Sequence, residues 1–401
     1  MSTNRKEFLQ KLGLLAASGS LLSSPLSAHA SRKEGKEKSP FATAPYLQNL
    51  TDNEVTLCII TGVESLVWVE LNDENENVRK VFNKKDGFID VGKGLMKFKI
   101  KGLKANTPYT YRFFIKEIDS FEPYKLDYGE TYHTDSYAFQ TRNTQADSMS
   151  CIIFNDIHDR PHSFKELLQW NKNPFDFVFL NGDMFDYQTD EQQLIDHLIA
   201  PCTELFASES PFILSRGNHE TRGKYARQIK DYFAYPKDKY YFTFQQGPVF
   251  FIVLDTGEDK PDDAPVYADI VDFDAYREEQ KEWLENEVFN SDAYKNAKYK
   301  AVLMHIPTHH SGDWHGTLHC RKLFSPLFEK HAIDIVIAGH THRYGVHRPE
   351  EEHTYPIIIG GGPQEGRRTL IQLQADSNEL SVNMLDDQGK KVGSYQIQSK
   401  A

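Results

Sequence analysis

Asn181-Gly182-Asp183-Met184-Phe185-Asp186 is the stretch of sequence that decides the fold, and it follows the apolar residues 175–180. The apolar run predicts a buried strand, so Asp183 would lie just past the strand's carboxyl end. Open α/β sheets place their chemistry at this end of their strands. A carboxylate in this position could offer one oxygen to each of two metal ions. We therefore expect a metal site here.

The same pattern, an apolar strand followed by polar side chains, occurs at four other places. Strands are predicted at residues 151–154, 212–214, 300–304 and 333–338. The polar residues that follow them are Asp156 and His158, then Arg216, Asn218, His219 and Glu220, then His305, and finally His340 and His342. A single His or Asp after a strand usually belongs to a turn. That explanation would have to hold at five strands in a fixed order, so the pattern favours a shared site.

The five blocks read D-x-H, G-D, G-N-H-E, a lone His and G-H-x-H, and together they resemble the signature of the calcineurin-like metallophosphoesterases. The resemblance extends from Asp156 to His342. It implies an α/β fold in which a four-layer β-sandwich is flanked by helices. It also implies a metal-dependent phosphoric ester hydrolase.

The resemblance further assigns ligands to two divalent metal ions. The first ion would be held by Asp156, His158, Asp183 and His342, and the second by Asp183, Asn218, His305 and His340. Carboxylate, imidazole and amide ligands suit zinc, manganese or iron. A hydroxide bridging the two ions would attack the phosphorus of a phosphate monoester directly.

Catalytic roles outside the ligand set also follow from the resemblance. His219 would protonate the leaving oxygen. Asp186 completes a G-D-x-x-D motif similar to that of the phosphoprotein phosphatases, in which the second Asp pairs with this His and supports its imidazolium. Arg216 would contact the substrate phosphate or form a surface salt bridge. Glu220 is expected to be a structural hydrogen-bond partner.

His315 stands ten residues after His305, an offset similar to that of a substrate-side His in purple acid phosphatases. It follows His309 and His310 in a segment that also contains Gly and Trp. We interpret this segment as a loop near the site and expect its histidines to contact substrate.

Residues 41–142 have the composition of an all-β domain. Short strands are predicted at residues 55–60, 66–71, 96–100 and 109–115. Residues 103–111 resemble the tyrosine motif of fibronectin type III sandwiches. Such a domain ahead of a metallophosphoesterase domain at residues 150–401 is similar to the layout of purple acid phosphatases. We expect the tyrosine-rich insertion at residues 119–137 to be a packed surface loop.

Within residues 150–401, predicted strands alternate with predicted helices. The helices are placed at residues 163–170, 191–200, 223–233 and 276–289, and a final hairpin at residues 380–385 and 393–397. This alternation predicts sheet layers covered by helices.

Residues 1–30 have the features of an export signal. Arg5 and Lys6 precede an apolar run at residues 12–22, which is too short to span a membrane. Small residues at 28–30 offer a cleavage site, and the charged pair resembles a twin-arginine signal. The signal predicts a periplasmic or extracellular protein. Residues 31–40 are expected to be a disordered linker, and we expect no transmembrane segment.

The composition limits the partners. The formal net charge is -12, from 46 basic and 58 acidic side chains, which argues against nucleic acid as a partner. Metal ions could still supply local positive charge for a small phosphate ester. Cys58 and Cys151 lie in predicted strands and are expected in the core. Cys202 and Cys320 could pair in an exported protein, and the sequence leaves that pairing open.

Two alternatives to a phosphomonoesterase stay open at this point. A phosphodiesterase could use the same site. A non-catalytic surface-binding protein could retain the fold, although such a module has no need of so many metal ligands. The oligomeric state does not follow from the sequence.

Overall fold

A computed structural model describes residues 40–143 and 146–399, which belong to one compact unit. The predicted export signal and nearly all of the predicted linker lie outside the described residues. No helix within the described ranges is long and apolar enough to cross a bilayer.

Antiparallel strands build the N-terminal part, as predicted. They are β1 (Tyr46–Gln48), β2 (Glu54–Asn72), β3 (Val78–Val81), β4 (Lys84–Lys85), β5 (Phe88–Ile89), β6 (Val91–Lys101), β7 (Pro108–Glu122), β8 (Lys125–His133) and β9 (Tyr137–Gln140). The long strand β2 pairs with β1 and β6 and also with β3 and β7. Its register with β6 shifts between Thr61 and Ser65, an irregularity of the kind that bends a strand. The strands predicted at residues 55–60 and 66–71 are therefore two parts of one strand.

The tyrosine-rich insertion is mostly a β-hairpin, so the prediction of a packed surface loop was wrong. Strand β7 continues into the insertion, β8 returns along it, and Phe121 pairs with Leu126 near the turn. Tyr and Thr favour pleated strands, and this preference extends the pairing beyond the expected sandwich. Tyr124 lies at the turn and is fully exposed.

The rest of the chain builds two six-stranded sheets. Their strands are β10 (Met149–Phe154), β11 (Phe177–Asn181), β12 (Phe212–Ser215), β13 (Phe242–Gln246), β14 (Val249–Val253), β15 (Tyr299–Leu303), β16 (Ile335–Ala338), β17 (Gly345–His347), β18 (Ile357–Ile359), β19 (Thr369–Ala375), β20 (Glu379–Asp386) and β21 (Lys391–Gln398). The first sheet has the order β12-β11-β10-β19-β20-β21, and β10, β11 and β12 are parallel. The second has the order β13-β14-β15-β16-β18-β17, and β14, β15, β16 and β18 are parallel. The predicted C-terminal hairpin is present as β20 and β21.

Three apolar layers hold these sheets together, because alternate side chains of each strand point to opposite faces. Ile153 of the first sheet lies in one buried cluster with Phe251 of the second, so the sheets pack face to face. Ile152, on the opposite face, joins a cluster with helical residues such as Leu198. Ile252, on the outer face of the second sheet, joins a third cluster that contains helical residues such as Phe324. The four-layer arrangement predicted from the sequence is confirmed.

Helices cover the two outer faces. They are α1 (His162–Leu168), α2 (Glu191–Leu194), α3 (Ala200–Cys202), α4 (Phe273–Trp283), α5 (Asp292–Asn296) and α6 (His315–Lys330). The π-helical segments that continue α2, α3 and α4 are Ile195–Ile199, Thr203–Ala207 and Leu284–Val288. The helix predicted at residues 223–233 was wrong, since only a 3-10 turn forms there, at Ile229–Tyr232. Gly223 has φ +91°, and a Cβ on it would lie 2.2 Å from the carbonyl oxygen of Gln188. This glycine therefore belongs to a tight turn rather than to a helix.

Buried hydrogen bonds fasten the N-terminal strands to the α/β part. The hydroxyl of Tyr46 donates to the carbonyl oxygen of Tyr232 at 2.8 Å. The hydroxyl of Tyr111 donates to the backbone carbonyl oxygen of Ser208 at 2.7 Å. Both tyrosines are fully buried. The two parts thus share an interface, while the predicted domain boundaries and the fibronectin type III likeness stay predictions.

All four cysteines are buried and free. Cys58 and Cys151 lie in the core as predicted. Cys202 packs under the first sheet and Cys320 under the second, in separate apolar clusters. The disulfide that the sequence left open is therefore not formed in this structure.

Candidate metal centre

The predicted metal ligands lie at the carboxyl ends of five parallel strands. In the first sheet, β10 leads into Asp156 and His158, β11 into Asp183, and β12 into Asn218. In the second sheet, β15 leads into His305, and β16 into His340 and His342. Because the two sheets are stacked, these ends meet in one place. The topology therefore gathers residues that are up to 186 positions apart in the sequence.

One group of side chains matches the ligand set predicted for the first ion. The Nε2 atoms of His158 and His342 lie 2.9 Å apart. Nε2 of His342 is 3.5 Å from Oδ1 of Asp156, and Nε2 of His158 is 3.6 Å from Oδ2 of Asp183. One atom from each of these four residues lies close enough to the others to share a metal ion.

A second group matches the set predicted for the other ion. Nε2 of His305 lies 3.0 Å from Oδ2 of Asp183, and His340 completes this group. Nδ1 of His340 is 3.0 Å from the amide oxygen of Asn218. Asp183 is the residue common to both groups.

The two carboxylate oxygens of Asp183 are not used as the sequence predicted, which was one oxygen for each ion. Its Oδ1 accepts a hydrogen bond from the backbone N–H of His219 at 2.9 Å. Its Oδ2 faces His158 of one group and His305 of the other. The geometry thus offers one shared oxygen to both ligand groups, rather than one oxygen to each.

Neighbouring groups fix the orientation of the ligands. Nδ1 of His305 donates to the carbonyl oxygen of Asn181 at 2.8 Å, which leaves Nε2 as the atom that faces Asp183. This Nε2 is buried, and its 3.0 Å contact with Oδ2 of Asp183 does not have the geometry of a hydrogen bond. A buried polar atom is expensive without a partner, whereas a metal ligand held through its other nitrogen is the usual arrangement. The residues present therefore fit a divalent ion.

The backbone at the ligands is strained. Five ligands have left-handed backbone conformations that non-glycine residues rarely adopt: Asp156, His158, Asp183, His340 and His342. Such strain persists where the surrounding structure enforces it, which is common at functional sites. Gly217 shows how tight the packing is, because a Cβ on it would lie 2.2 Å from Oδ1 of Asp183.

Glu220 is the structural hydrogen-bond partner that the sequence predicted. It is fully buried, and its Oε2 accepts the N–H groups of Asp183 and Gly217, each at 2.7 Å. Its Oε1 accepts the N–H of Met184 at 2.7 Å. Burial and the nearby Asp183 raise the pKa of Glu220 to about 7. Through these hydrogen bonds, Glu220 fixes the conformation of the loop that carries Asp183.

The charges of the centre are strongly coupled. Burial raises the pKa of Asp183, but His305 and the other imidazoles outweigh burial and hold that pKa well below its ordinary value. Burial raises the pKa of Asp156, and the charge on Asp183 adds to the rise. Burial lowers the pKa of His305, yet Asp183 more than offsets this and raises it to about 10. The cluster therefore attracts positive charge, which a divalent ion supplies in larger amount than a proton.

The sequence predicts that the side chains of Asp186 and His219 form a pair, and this prediction was wrong. The carboxylate of Asp186 contacts Nδ1 of His158 at 2.8 Å. Nδ1 of His219 instead donates to the backbone carbonyl oxygen of Asp186 at 2.7 Å. Asp186, in the turn after β11, therefore contacts both histidines. Its side chain contacts His158, and its main-chain carbonyl oxygen accepts from His219.

Two roles were expected for Arg216, contact with the substrate phosphate or a surface salt bridge. The structure shows a salt bridge, and this salt bridge is partly buried. Nε of Arg216 donates to Oδ2 of the buried Asp255 at 2.8 Å, and its guanidinium carbon lies 3.9 Å from the ring centre of Tyr240. Asp255 follows β14, an element that the signature motifs do not include. The guanidinium is therefore committed to this pair.

His315 does not lie in a loop, so that prediction was wrong. It begins helix α6, and its Nε2 contacts both carboxylate oxygens of Asp274 at 2.8 Å. The partner lies 41 residues earlier, where no sequence signal marks it. His309 is nearly buried, and its Nδ1 contacts Oγ1 of Thr308 at 3.0 Å.

Arg222 is a site residue that the sequence reasoning missed. Its Nη1 lies 3.0 Å from Nε2 of His219. Glu258 holds the other edge of the guanidinium through bonds of 3.0 Å to Nε and 2.8 Å to Nη2. Arg222 stands two residues after the end of G-N-H-E, and that position is the signal that could have identified it. Its Nη1 is presented toward the metal centre.

Comparisons with known proteins agree with this fold. Residues 149–344, slightly less than half of the chain, match the model of the calcineurin-like phosphoesterase family. The matched segment contains every predicted metal ligand. The match agrees with the predicted class, a metal-dependent phosphoesterase.

Individual relatives point to the purple acid phosphatases. Purple acid phosphatase 21 of Arabidopsis thaliana is 23% identical over 306 residues, which cover 69% of this chain and 66% of that protein. Probable purple acid phosphatase 20 of the same plant is 24% identical over 293 residues, which cover 67% of this chain and 60% of that protein. The chain thus spans less than two thirds of the length of these relatives.

Two solved structures share the fold. The purple acid phosphatase PPD1 from yellow lupin (Lupinus luteus) seeds matches with a TM-score of 0.65 at 18% identity, covering 89% of this chain and 74% of its own. PhoD matches with a TM-score of 0.61 at 13% identity, covering 91% of this chain and 90% of its own. Matches that cover 89% and 91% of this chain extend into its N-terminal strands, and the shared fold agrees with the predicted layout.

Proposed function

We propose that this chain is an exported phosphoesterase that holds two divalent ions, zinc, manganese or iron, and hydrolyses phosphate monoesters. The observation that carries the proposal is the shared oxygen of Asp183. Its Oδ2 faces His158 at 3.6 Å and His305 at 3.0 Å, so that two ligand groups meet at one carboxylate. A pair of ions held this way would activate a water molecule and offset the charge of a phosphate ester.

The residues around the ligands would position the substrate and move its proton. Nδ1 of His219 is committed to the carbonyl oxygen of Asp186, so Nε2 is the nitrogen that can give a proton to the leaving oxygen. This Nε2 lies 4.0 Å from Oδ2 of Asp183, at the edge of the metal centre. His219 is thus placed for general acid catalysis.

Arg222 would bind the phosphate group. Its Nη1 contacts Nε2 of His219 in this structure. A bound phosphate oxygen would draw the guanidinium to itself, since charge-assisted hydrogen bonds to phosphate are strong. Nε2 of His219 would then be free to face the leaving oxygen.

The preference for monoesters rests on the names of the relatives, which are phosphatases, and on the shared layout. A phosphodiesterase on the same site is the main alternative. Export rests on the features of residues 1–30, which predict a periplasmic or extracellular protein.

The test is a metal-supplemented assay with p-nitrophenyl phosphate and with bis(p-nitrophenyl) phosphate, run with zinc, manganese and iron in turn. Faster turnover of the monoester agrees with the proposal. Faster turnover of the diester would identify a phosphodiesterase. Turnover of neither ester with any ion would contradict both and favour a non-catalytic binding protein.

A further inference from the structure

A second cluster of metal-binding side chains lies outside the ligand set of the metal centre. It consists of His310, Glu350 and His353. The two Nε2 atoms are 2.8 Å apart. Oε1 of Glu350 lies 3.2 Å from Nε2 of His310 and 3.1 Å from Nε2 of His353. Three potential ligand atoms therefore converge on one point.

Local structure brings these side chains together. Glu350 and His353 are joined by two backbone hydrogen bonds, N to O, of 2.9 Å and 3.3 Å, so their side chains leave one tight turn close together. His310 comes from a distant segment and has a left-handed backbone with φ 65°. Its ring stacks on that of His347, with centroids 3.7 Å apart. Both the turn and the stack fix where the ligand atoms point.

The contacts of His353 show how its second nitrogen is placed. The residue is fully buried, and its Nδ1 donates to the carbonyl oxygen of Tyr355 at 2.7 Å. The other nitrogen, Nε2, faces Oε1 of Glu350 at 3.1 Å and Nε2 of His310 at 2.8 Å. Three potential ligand atoms this close to one another need a proton or a metal ion between them. A ring nitrogen fixed through a carbonyl on its far side is also the usual arrangement of a metal-bound His.

We propose that His310, Glu350 and His353 bind a further divalent transition-metal ion, with zinc as the best fit. Two imidazoles and one carboxylate are a ligand set that zinc accepts. Ligand nitrogens about 2.0–2.1 Å from a tetrahedral ion lie about 3.3–3.4 Å from each other. The observed separations of 2.8, 3.2 and 3.1 Å require only a small outward shift. Three protein ligands leave the fourth position to water or to a small ligand.

Another candidate cluster outside the metal centre fits an ion less well. Asp274, His315 and His319 also bring ligand atoms together. The guanidinium of Arg277, however, donates to Oδ1 of Asp274 at 2.7 Å. The carboxylate of this cluster is therefore already paired with a cation. The cluster at His310 is therefore the one to which we assign an ion.

The proposed ion would fasten two segments that leave the metal centre. His310 stands five residues after the ligand His305, and Glu350 stands eight residues after the ligand His342. One ion bound between these segments would restrict their motion relative to each other. The site would thus stabilise the loops around the centre without taking part in the ligand groups of Asp183.

Zinc content tests the proposal on the purified full chain. The protein is saturated with zinc, freed of excess by gel filtration, and analysed for zinc per chain by mass spectrometry. Glu350→Gln and His310→Asn should each carry one ion fewer than wild type. Glu351→Gln is the matched control, because it removes the same charge from the next residue of the same turn, and it should keep the wild-type content. His310 and Glu350 are both partly exposed, so neither change empties the core.

An independent variant separates this site from the metal centre. Asp183→Asn should lose zinc from the centre, and adding Glu350→Gln to it should remove one further ion. Equal zinc content in wild type, Glu350→Gln and His310→Asn would overturn the proposal and leave a shared proton as the charge that holds this cluster.

Discussion

The carboxylate of Asp186 contacts Nδ1 of the metal ligand His158 at 2.8 Å. A carboxylate in this position fixes the tautomer and the orientation of the imidazole, so that Nε2 is available to an ion. Asp186 was expected to assist proton transfer through His219. The structure instead places its carboxylate against a predicted metal ligand, and this changes what its substitution should do.

Asp186→Asn should weaken metal binding at the site of His158. The loss of a partner of this kind typically costs about 10–100-fold in metal affinity. We expect a higher dissociation constant for one ion and, below metal saturation, a similar fractional loss of rate for every ester. Metal titration of the apo protein measures the affinity. Asp196→Asn, an exposed change of the same charge, serves as the control.

Unchanged metal affinity in Asp186→Asn, together with a rate loss confined to esters with poor leaving groups, would contradict this role. That result would return Asp186 to the proton-transfer step.

His219→Gln should show dependence on the leaving group. If Nε2 of His219 gives the proton to the leaving oxygen, its removal costs about 10²–10⁴-fold for alkyl phosphates. The cost should be small for p-nitrophenyl phosphate, whose leaving group needs little protonation. The measurement is kcat across a series of esters of graded leaving-group pKa. An equal loss for every ester would argue for a binding role instead.

Arg222→Gln should raise KM more than it lowers kcat. The guanidinium of Arg222 is clamped by Glu258 and offers Nη1 toward the centre. A hydrogen bond to a charged group contributes about 1.5–3 kcal/mol, which corresponds to an increase in KM of about 10–100-fold. Arg227→Gln removes the same charge from the following segment and is the control. An unchanged KM in Arg222→Gln would exclude the proposed phosphate contact.

Removal of the metal ions should lower the stability of the fold. Asp156 and Asp183 are buried close to each other, and an ion that binds only the folded chain stabilises it by about 2.7 kcal/mol at a hundredfold excess over its dissociation constant. Treatment with a chelator should therefore lower Tm, and added zinc or manganese should restore it. A Tm that does not respond to chelator would show that the clusters carry no ion.

The metal ligands were predictable because their signal is local. Each follows a short apolar strand, and parallel strands bring their carboxyl ends to one edge of a sheet. The partners of the ligands were not predictable in the same way. Asp255 lies 39 residues from Arg216, and Asp274 lies 41 residues from His315, with no fixed spacing to mark either pair. Tertiary packing alone determines which carboxylate meets which cation.

The fold shows the same division. Strand periodicity located β10, β11, β12, β15 and β16, while the four layers were implied by the family resemblance. It failed where a backbone constraint outweighed local propensity, as at Gly223, whose tight turn replaces the predicted helix. It also missed helix α6, because the polar residues at its start were interpreted as a loop.

The most direct test of a shared metal centre is the metal content and turnover of Asp183→Asn, measured on the same sample, with Asp196→Asn as the control. Oδ2 of Asp183 faces both ligand groups, so the change alters both sites at once. We predict the loss of at least one bound ion and of most p-nitrophenyl phosphate hydrolysis, while Asp196→Asn resembles wild type. Wild-type metal content and wild-type rate in Asp183→Asn would contradict the account.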